Sequence, residues 1–241
     1  MDAYPLYAKD AYCKEFITTV TAVNKGTFII LADTIFYPQG GGQPHDEGQI
    51  EVLGPDGLGK DMYSVTFVGK FDGAISHEVN KEGLHVGDRV RCKLDWPRRY
   101  ALMKMHTASH VLSQVFFQEQ VLITGNQLDV ALSRVDYSLD TFDREQMEAL
   151  VAKANRYLQE DHKVEISFKP REDVLRMPGM VKLAGALPPN VSILRIVDIT
   201  GVDVQADGGT HVHSTKECGL INIEELKNKG KNNRRLYFSL R

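Results

Sequence analysis

The stretch Leu94–Gln120, LDWPRRYALMKMHTASHVLSQVFFQEQ, is where the chain changes character. Leu102, Met105, Ala108, Leu112 and Val115 recur at helical spacing, so an amphipathic helix is expected near residues 97 to 118. Asp95 can cap its first amides, and Pro97 falls in the first turn, where a missing N–H costs nothing. Upstream the pattern differs. FITTVTAV, TFIILAD, GQIEV, YSVTFVG, AISHEV and DRVRCKL are short and rich in β-branched residues, with NKG, GPDG, FDG and HVGD as turn signals between them. Strands at this spacing predict a small barrel or a pair of packed sheets. Downstream, a strand is expected around Gln127 to Tyr137. A helix follows over about Asp143 to Glu160, carrying Met147, Leu150, Val151, Ala154 and Leu158 on one face. VEISFKP, SILRIVDI, GLINIEE and RRLYFSL then read as strands. Helices interrupt strands without a βαβ rhythm, which makes the fold class α+β. The expected organisation is a small β-barrel-like domain over 1–94 and an α+β domain over 95–241.

Composition narrows the function classes. The 241 residues carry a formal net charge of -3, so a basic surface must be local if there is one. Three scattered cysteines, Cys13, Cys92 and Cys218, with no CxxC pair, give no disulfide framework and suggest a reducing compartment. Cys92 alternates with Val90 and Leu94 in a strand pattern, so burial accounts for it. The opening MDAYPLYAKDAYCKEF has charges where a signal peptide needs an apolar run. No segment approaches the roughly 20 apolar residues of a membrane span. A cytoplasmic protein without a membrane partner is expected.

Within the helix, HTASH places His106 and His110 four residues apart, hence on one face. Such a pair can bite one metal from a rigid element, and neutral imidazole is a common zinc ligand. A second cluster lies about a hundred residues on, in DGGTHVHSTKECG, Asp207–Gly219. His106, His110 and His211 would give the three protein ligands of a catalytic zinc site, with Asp207 as a fourth ligand or as a carboxylate that holds water beside it. HTASH lacks the glutamate of the zincin HExxH motif, so peptidase chemistry is poorly supported. A more activated acyl group, such as an ester, demands less.

Four ordered segments carry a family resemblance: YPQGGGQPHDEG, LDWPRRYALMKMHTASHVL, GGTHVHSTKECG and KGKNNRRLYF. Together they resemble the editing region of alanyl-tRNA synthetase, and still more its free-standing AlaX relatives in their two-domain form. The resemblance implies a β-barrel-like domain followed by a zinc-containing α+β editing domain, with one Zn2+ per chain. It implies hydrolysis of tRNA-Ala wrongly charged with serine, and in many members glycine. A pocket built for alanine cannot strongly reject glycine, or a serine that merely adds a hydroxyl, so a second site must test the product. The family's helical pair matches His106 and His110, and its common Cys-x-x-x-His matches Asp207 and His211. The departure at Asp207 puts a hard oxygen donor where the family often has a thiolate. His213 and Cys218 have no counterpart among the family's ligands.

Other assignments follow from that partner. Thr124, with Gln127 beside it, is the candidate hydroxyl for recognising the serine side chain. Gly40, Gly41, Gly42 and Gln43 form a loop expected to reach towards the editing site or the acceptor end. Arg98 and Arg99 on the helix, and Lys229, Lys231, Arg234 and Arg235 near the end, are candidate phosphate contacts. Two rival readings are an editing hydrolase for a different aminoacyl-tRNA and a tRNA-binding module whose metal site has decayed at Asp207.

Overall fold

The computed structural model describes residues 4–141, 143–177, 191–231 and 233–241. The chain divides into two compact units, Ala3–Tyr100 and Ala101–Arg241.

The first unit is built from six strands: β1 (Glu15–Asn24), β2 (Phe28–Leu31), β3 (Gly48–Leu53), β4 (Gly59–Phe71), β5 (Ala74–Val79) and β6 (Arg89–Leu94). All six segments expected upstream of Leu94 form. They pair antiparallel in the closed order β1-β2-β5-β4-β3-β6, so every strand has two neighbours. Alternation sets the inside: Val90, Cys92 and Leu94 of β6 are buried while Arg89 and Lys93 are exposed. Val20, Ile29, Phe36, Ile50 and Val68 complete the centre of this core. Gly48 permits the β3–β6 pairing, because a Cβ there would meet Lys93 O at 2.2 Å and Leu94 Cα at 3.0 Å.

Several polar groups are buried in this unit, His77 and Arg99 among them, each held by its partners. His77 Nδ1 donates to Ile29 O at 2.9 Å, and its Nε2 accepts from Thr34 Oγ1 at 2.8 Å. Thr34 Oγ1 in turn accepts from Phe36 N. That chain fits one neutral tautomer, and burial pushes the His77 pKa down to about 4. Since the unfolded chain binds this proton near pH 6.5, the stabilisation is complete above 6.5 and is lost as pH falls towards 4. The loss amounts to about 3 kcal/mol. In urea titrations between pH 7 and pH 4, His77→Gln is expected to flatten the acid slope of stability by that amount; an unchanged slope would place the titration elsewhere. Arg99 is the second of these. Its guanidinium is fully buried, with Nε 3.0 Å from both Asp46 oxygens and Nη2 against Asp46 Oδ2. Nη1 donates to Ala11 O at 2.8 Å and Nη2 to Ile35 O at 2.6 Å.

Helix α2 (Trp96–Gln118) follows a short N-terminal helix α1 (Leu6–Lys9) in chain order and contains the boundary between the units. Asp95 caps it through Arg98 N at 3.1 Å. The expected amphipathic stripe is only part of the finding: every residue from Met105 to Ser113 is buried. His106, Thr107, Ser109, His110 and Ser113 are therefore polar groups inside the protein, on a helix buried well beyond its apolar stripe.

The second unit continues with β7 (Ile123–Gln127), β8 (Ser133–Tyr137), α3 (Arg144–Gln159), β9 (Val164–Pro170), α4 (Arg171–Arg176), β10 (Ile193–Ile199), β11 (Asp203–Ala206), β12 (Ile221–Asn228) and β13 (Arg234–Leu240). The single strand expected around Gln127–Tyr137 is two, β7 and β8, paired antiparallel across a turn that contains Asp129. Asp143 caps α3 through Gln146 N, and Met147, Leu150, Val151, Ala154 and Leu158 form its buried face as the periodicity predicts. Two antiparallel sheets result, β11-β10-β9 and β12-β13-β8-β7. Among the described residues no helix is long and apolar enough to cross a membrane.

Candidate metal centre

His106, His110, Asp207 and His211 converge, each offering one ligand atom, and these atoms lie within 4.8 Å of one another. Helix α2 supplies the first two from successive turns. The ring centroids of His106, His110 and His211 are 4.4 to 5.0 Å apart. His211 Nε2 stands 3.1 Å from Asp207 Oδ2, and His106 Nε2 stands 3.7 Å from Asp207 Oδ1. Donors about 2.0–2.1 Å from a tetrahedral ion are spaced about 3.3 Å apart, so a small contraction of this cluster would seat one. The group fits a metal on chemistry as well as on spacing.

The backbone around the second ligand pair is tightly specified. Asp207 N donates to Arg195 O, which carries the β10–β11 pairing one step past β11. Asp207 Oδ2 accepts from Gly209 N at 2.6 Å, a local turn that aims the carboxylate. Arg195 Nη1 donates to Asp207 O at 2.8 Å. Thr107 joins the two halves of the site: its Oγ1 lies 3.1 Å from His211 Nδ1 and accepts from Val212 N. Ser214 and Glu217 then form a capping box on the 3-10 turn Thr215–Cys218.

The same turn disposes of the surplus donors in DGGTHVHSTKECG. The segment from His211 to His213 is not a strand, so His213 does not share a sheet face with His211, and its side chain is exposed. Cys218 is buried at 2% exposure, and that burial pushes its thiol up to about 12, away from the thiolate a metal needs.

Electrostatics favour ligand forms. Burial pushes His106 down to about 4 against the pull of Asp207. Burial, with His106 adding to it, holds His211 well below the usual histidine range. For Asp207, burial raises the pKa, but His106 and the His211 hydrogen bond outweigh it and hold the carboxyl well below its ordinary range. His110 differs: burial lowers its pKa, yet the hydrogen bond to Asp203 prevails and raises it. Neutral imidazoles and an ionised carboxylate are the states a divalent metal requires.

Sequence reasoning missed Asp203, Gln205, Arg195 and Thr107. His110 Nδ1 is 3.3 Å from Asp203 Oδ2 and 3.0 Å from Gln205 Nε2. Strand alternation in DVQAD, which puts residues 203, 205 and 207 on one face, was the available signal.

The remaining candidates lie outside the cluster of four. Thr124 and Gln127 are exposed on β7. Thr124 occupies a bulge, since Ile123 pairs with Tyr137 and Gly125 with Asp136. Gln127 Oε1 accepts from Arg134 Nε at 3.2 Å. Gly40 and Gln43 exchange two backbone hydrogen bonds, which close a tight loop in which Gly41 and Gly42 take positive φ of 57° and 85°. The Gln43 side chain is buried. Two of the basic candidates are buried. Arg99 is consumed by Asp46, Ala11 O and Ile35 O, so its buried guanidinium has no face to offer a phosphate. Arg234 is likewise buried and donates to Asn228 Oδ1, Asn233 O and Asp140 O. Arg98 is half-buried and donates to His45 O. Lys229 and Lys231 are exposed, and Arg235 is partly exposed in a two-point pair with Asp136.

Comparison with known proteins gives this site its context. The family described as threonyl and alanyl tRNA synthetase second additional domain matches residues 194–237, which include Asp203, Asp207 and His211. The family described as tRNA synthetases class II (A) matches residues 8–98. Both parts of the chain thus resemble segments of tRNA synthetases. An alanyl-tRNA editing protein AlaX-M of Methanosarcina mazei is 44% identical over 98% of this chain and 95% of its own length. Another from Saccharolobus solfataricus is 39% identical over 98% of each. An alanine-tRNA ligase of Pyrococcus abyssi is 37% identical over 90% of this chain, which spans 24% of that enzyme. The chain belongs to the AlaX-M family of alanyl-tRNA editing proteins.

Proposed function

We propose that the protein is a trans-editing hydrolase that deacylates mischarged tRNA-Ala, Ser-tRNA-Ala foremost and Gly-tRNA-Ala with it, in the cytoplasm. The observation that carries this reading is the convergence of His106, His110, Asp207 and His211 in a chain 39–44% identical to AlaX-M proteins along nearly its full length. We assign the four groups as ligands of one zinc ion per chain. Zinc, when bound, supplies Lewis acidity for hydrolysis of the aminoacyl ester. The chain's own part is to keep His106 and His211 neutral and Asp207 ionised in a largely buried site. We further assign 1–94 as a barrel-like domain and 95–241 as the editing domain. Thr124, on its bulge, and Gln127 are the proposed contacts to the serine hydroxyl, since bulges re-aim side chains next to active sites. The Gly40–Gln43 loop, Arg98, Lys229, Lys231 and Arg235 are the proposed contacts to the tRNA.

Asp207 is assigned as a direct ligand on its spacing from both His106 and His211. Asp207→Ala and His211→Ala are then expected to weaken zinc by comparable factors in chelator competition; an Asp207→Ala protein that binds zinc as the wild type does would return Asp207 to the role of holding water. Substrate identity is tested with Ser-tRNA-Thr beside Ser-tRNA-Ala. Preferential deacylation of the latter supports the alanine system, and equal rates would favour the rival aminoacyl-tRNA.

A further inference from the structure

Asp203, Gln205 and Asp207 present the same face because side chains alternate along a strand. Asp207 meets His106 and His211, whereas the other two residues meet His110. His110 Nδ1 lies 3.3 Å from Asp203 Oδ2 and 3.0 Å from Gln205 Nε2, and Gln205 Nε2 also donates to Asp203 Oδ2. An amide nitrogen accepts no hydrogen bond, so Gln205 Nε2 could pair only with an unprotonated Nδ1, whereas an Nδ1–H has the Asp203 oxygen as its acceptor; the charge-assisted bond to the buried carboxylate is the stronger of the two and selects Nδ1–H. Asp203 is itself buried at 5% exposure. It sits in β11 with its backbone position fixed opposite Ile199.

We propose that Asp203 is a positioning residue for the metal centre: its carboxylate accepts from His110 Nδ1–H, fixes that tautomer and ring orientation, and leaves the Nε2 lone pair for the metal, while Gln205 holds the carboxylate in place. This rests on the assignment of His110 as a ligand. It deepens that assignment by naming what makes a helical histidine ready to bind. Carboxylate partners of ligating histidines act in this way, and their loss costs about 10- to 100-fold in metal affinity.

Two measurements on the full chain test it. In long-range 1H–15N spectra of the metal-free wild type, at a pH where the ring is neutral, His110 is expected to carry its proton on Nδ1. In chelator competition, Asp203→Asn and Asp203→Ala are each expected to bind zinc about 10- to 100-fold more weakly. Cobalt-substituted Asp203→Asn is expected to show displaced visible bands, which a merely structural role would leave in place. Asp203→Asn changes few atoms, and the wild-type spectrum decides even if both variants fail to fold. An Nε2–H tautomer in the wild type, or wild-type zinc affinity in both folded variants, overturns the proposal alone. A wild-type chain that binds no zinc overturns the ligand assignment and this inference with it.

Discussion

His110→Ala is expected to lose zinc and to lose deacylation of Ser-tRNA-Ala by more than about 100-fold, since even an outer partner of a ligating histidine is worth 10- to 100-fold. His110 is 7% exposed, pairs with His106 on one face of α2, and lies against a carboxylate other than Asp207. Truncation removes a donor and strands Asp203, a buried carboxylate, beside a cavity. The protein should still fold, because α2 keeps its apolar contacts through Leu102, Met105, Leu112 and Val115. Equilibrium dialysis followed by metal analysis gives the stoichiometry, and a tRNA deacylation assay gives the rate. Retention of one zinc per chain with an undiminished rate would remove His110 from the ligand set.

Arg99→Met is expected to have the largest effect on stability, a loss of about 3–5 kcal/mol. The substitution leaves Asp46 1% exposed with only Tyr37 N among the hydrogen bonds described for its side chain, an uncompensated charge in the interior. It also leaves Ala11 O and Ile35 O without the donors they now have. Total stabilities of about 5–15 kcal/mol make such a loss large. Replacing both charges, Arg99→Met with Asp46→Leu, should recover part of it, because desolvation of the pair offsets much of its attraction. Chemical denaturation of both variants measures this. The same experiment separates the buried role from a phosphate contact. A phosphate-binding Arg99 would leave stability unchanged on substitution and reduce the salt dependence of tRNA binding instead.

Arg99 also shows where sequence legibility ends. Beside Arg98 on a helix it looks like half of a basic patch, and nothing local records Asp46, which is 53 residues away. The strands before Leu94 were legible because their alternation and turn residues are local signals, and Cys92 was placed by the same alternation. The turn between β7 and β8 was not, because LDVAL, Leu128–Leu132, has no Gly or Pro and only Asp129 as a turn residue. The ligand types and spacing in HTASH and DGGTH were readable, and the structure brings those four groups together. Alternation puts Asp203 and Gln205 on the face of Asp207, but their task appears only once β11 lies against α2, and polar residues outside any motif carry no mark of burial. His213 and Cys218 were excluded through family resemblance, while the structure gives the physical cause: a capping box turns one outward and buries the other as a neutral thiol.

Metal-assisted deacylation that spares the correct product is the activity assigned to this site. Its most direct test is the rate of hydrolysis of Ser-tRNA-Ala and of Ala-tRNA-Ala by the purified full chain, before and after removal of metal with a chelator and again after zinc is restored. Rapid deacylation of Ser-tRNA-Ala, sparing of Ala-tRNA-Ala, loss of the activity with the metal and its return with zinc are expected. Binding of Ser-tRNA-Ala without hydrolysis in the zinc-restored protein, or hydrolysis that chelation leaves untouched, would contradict the assignment.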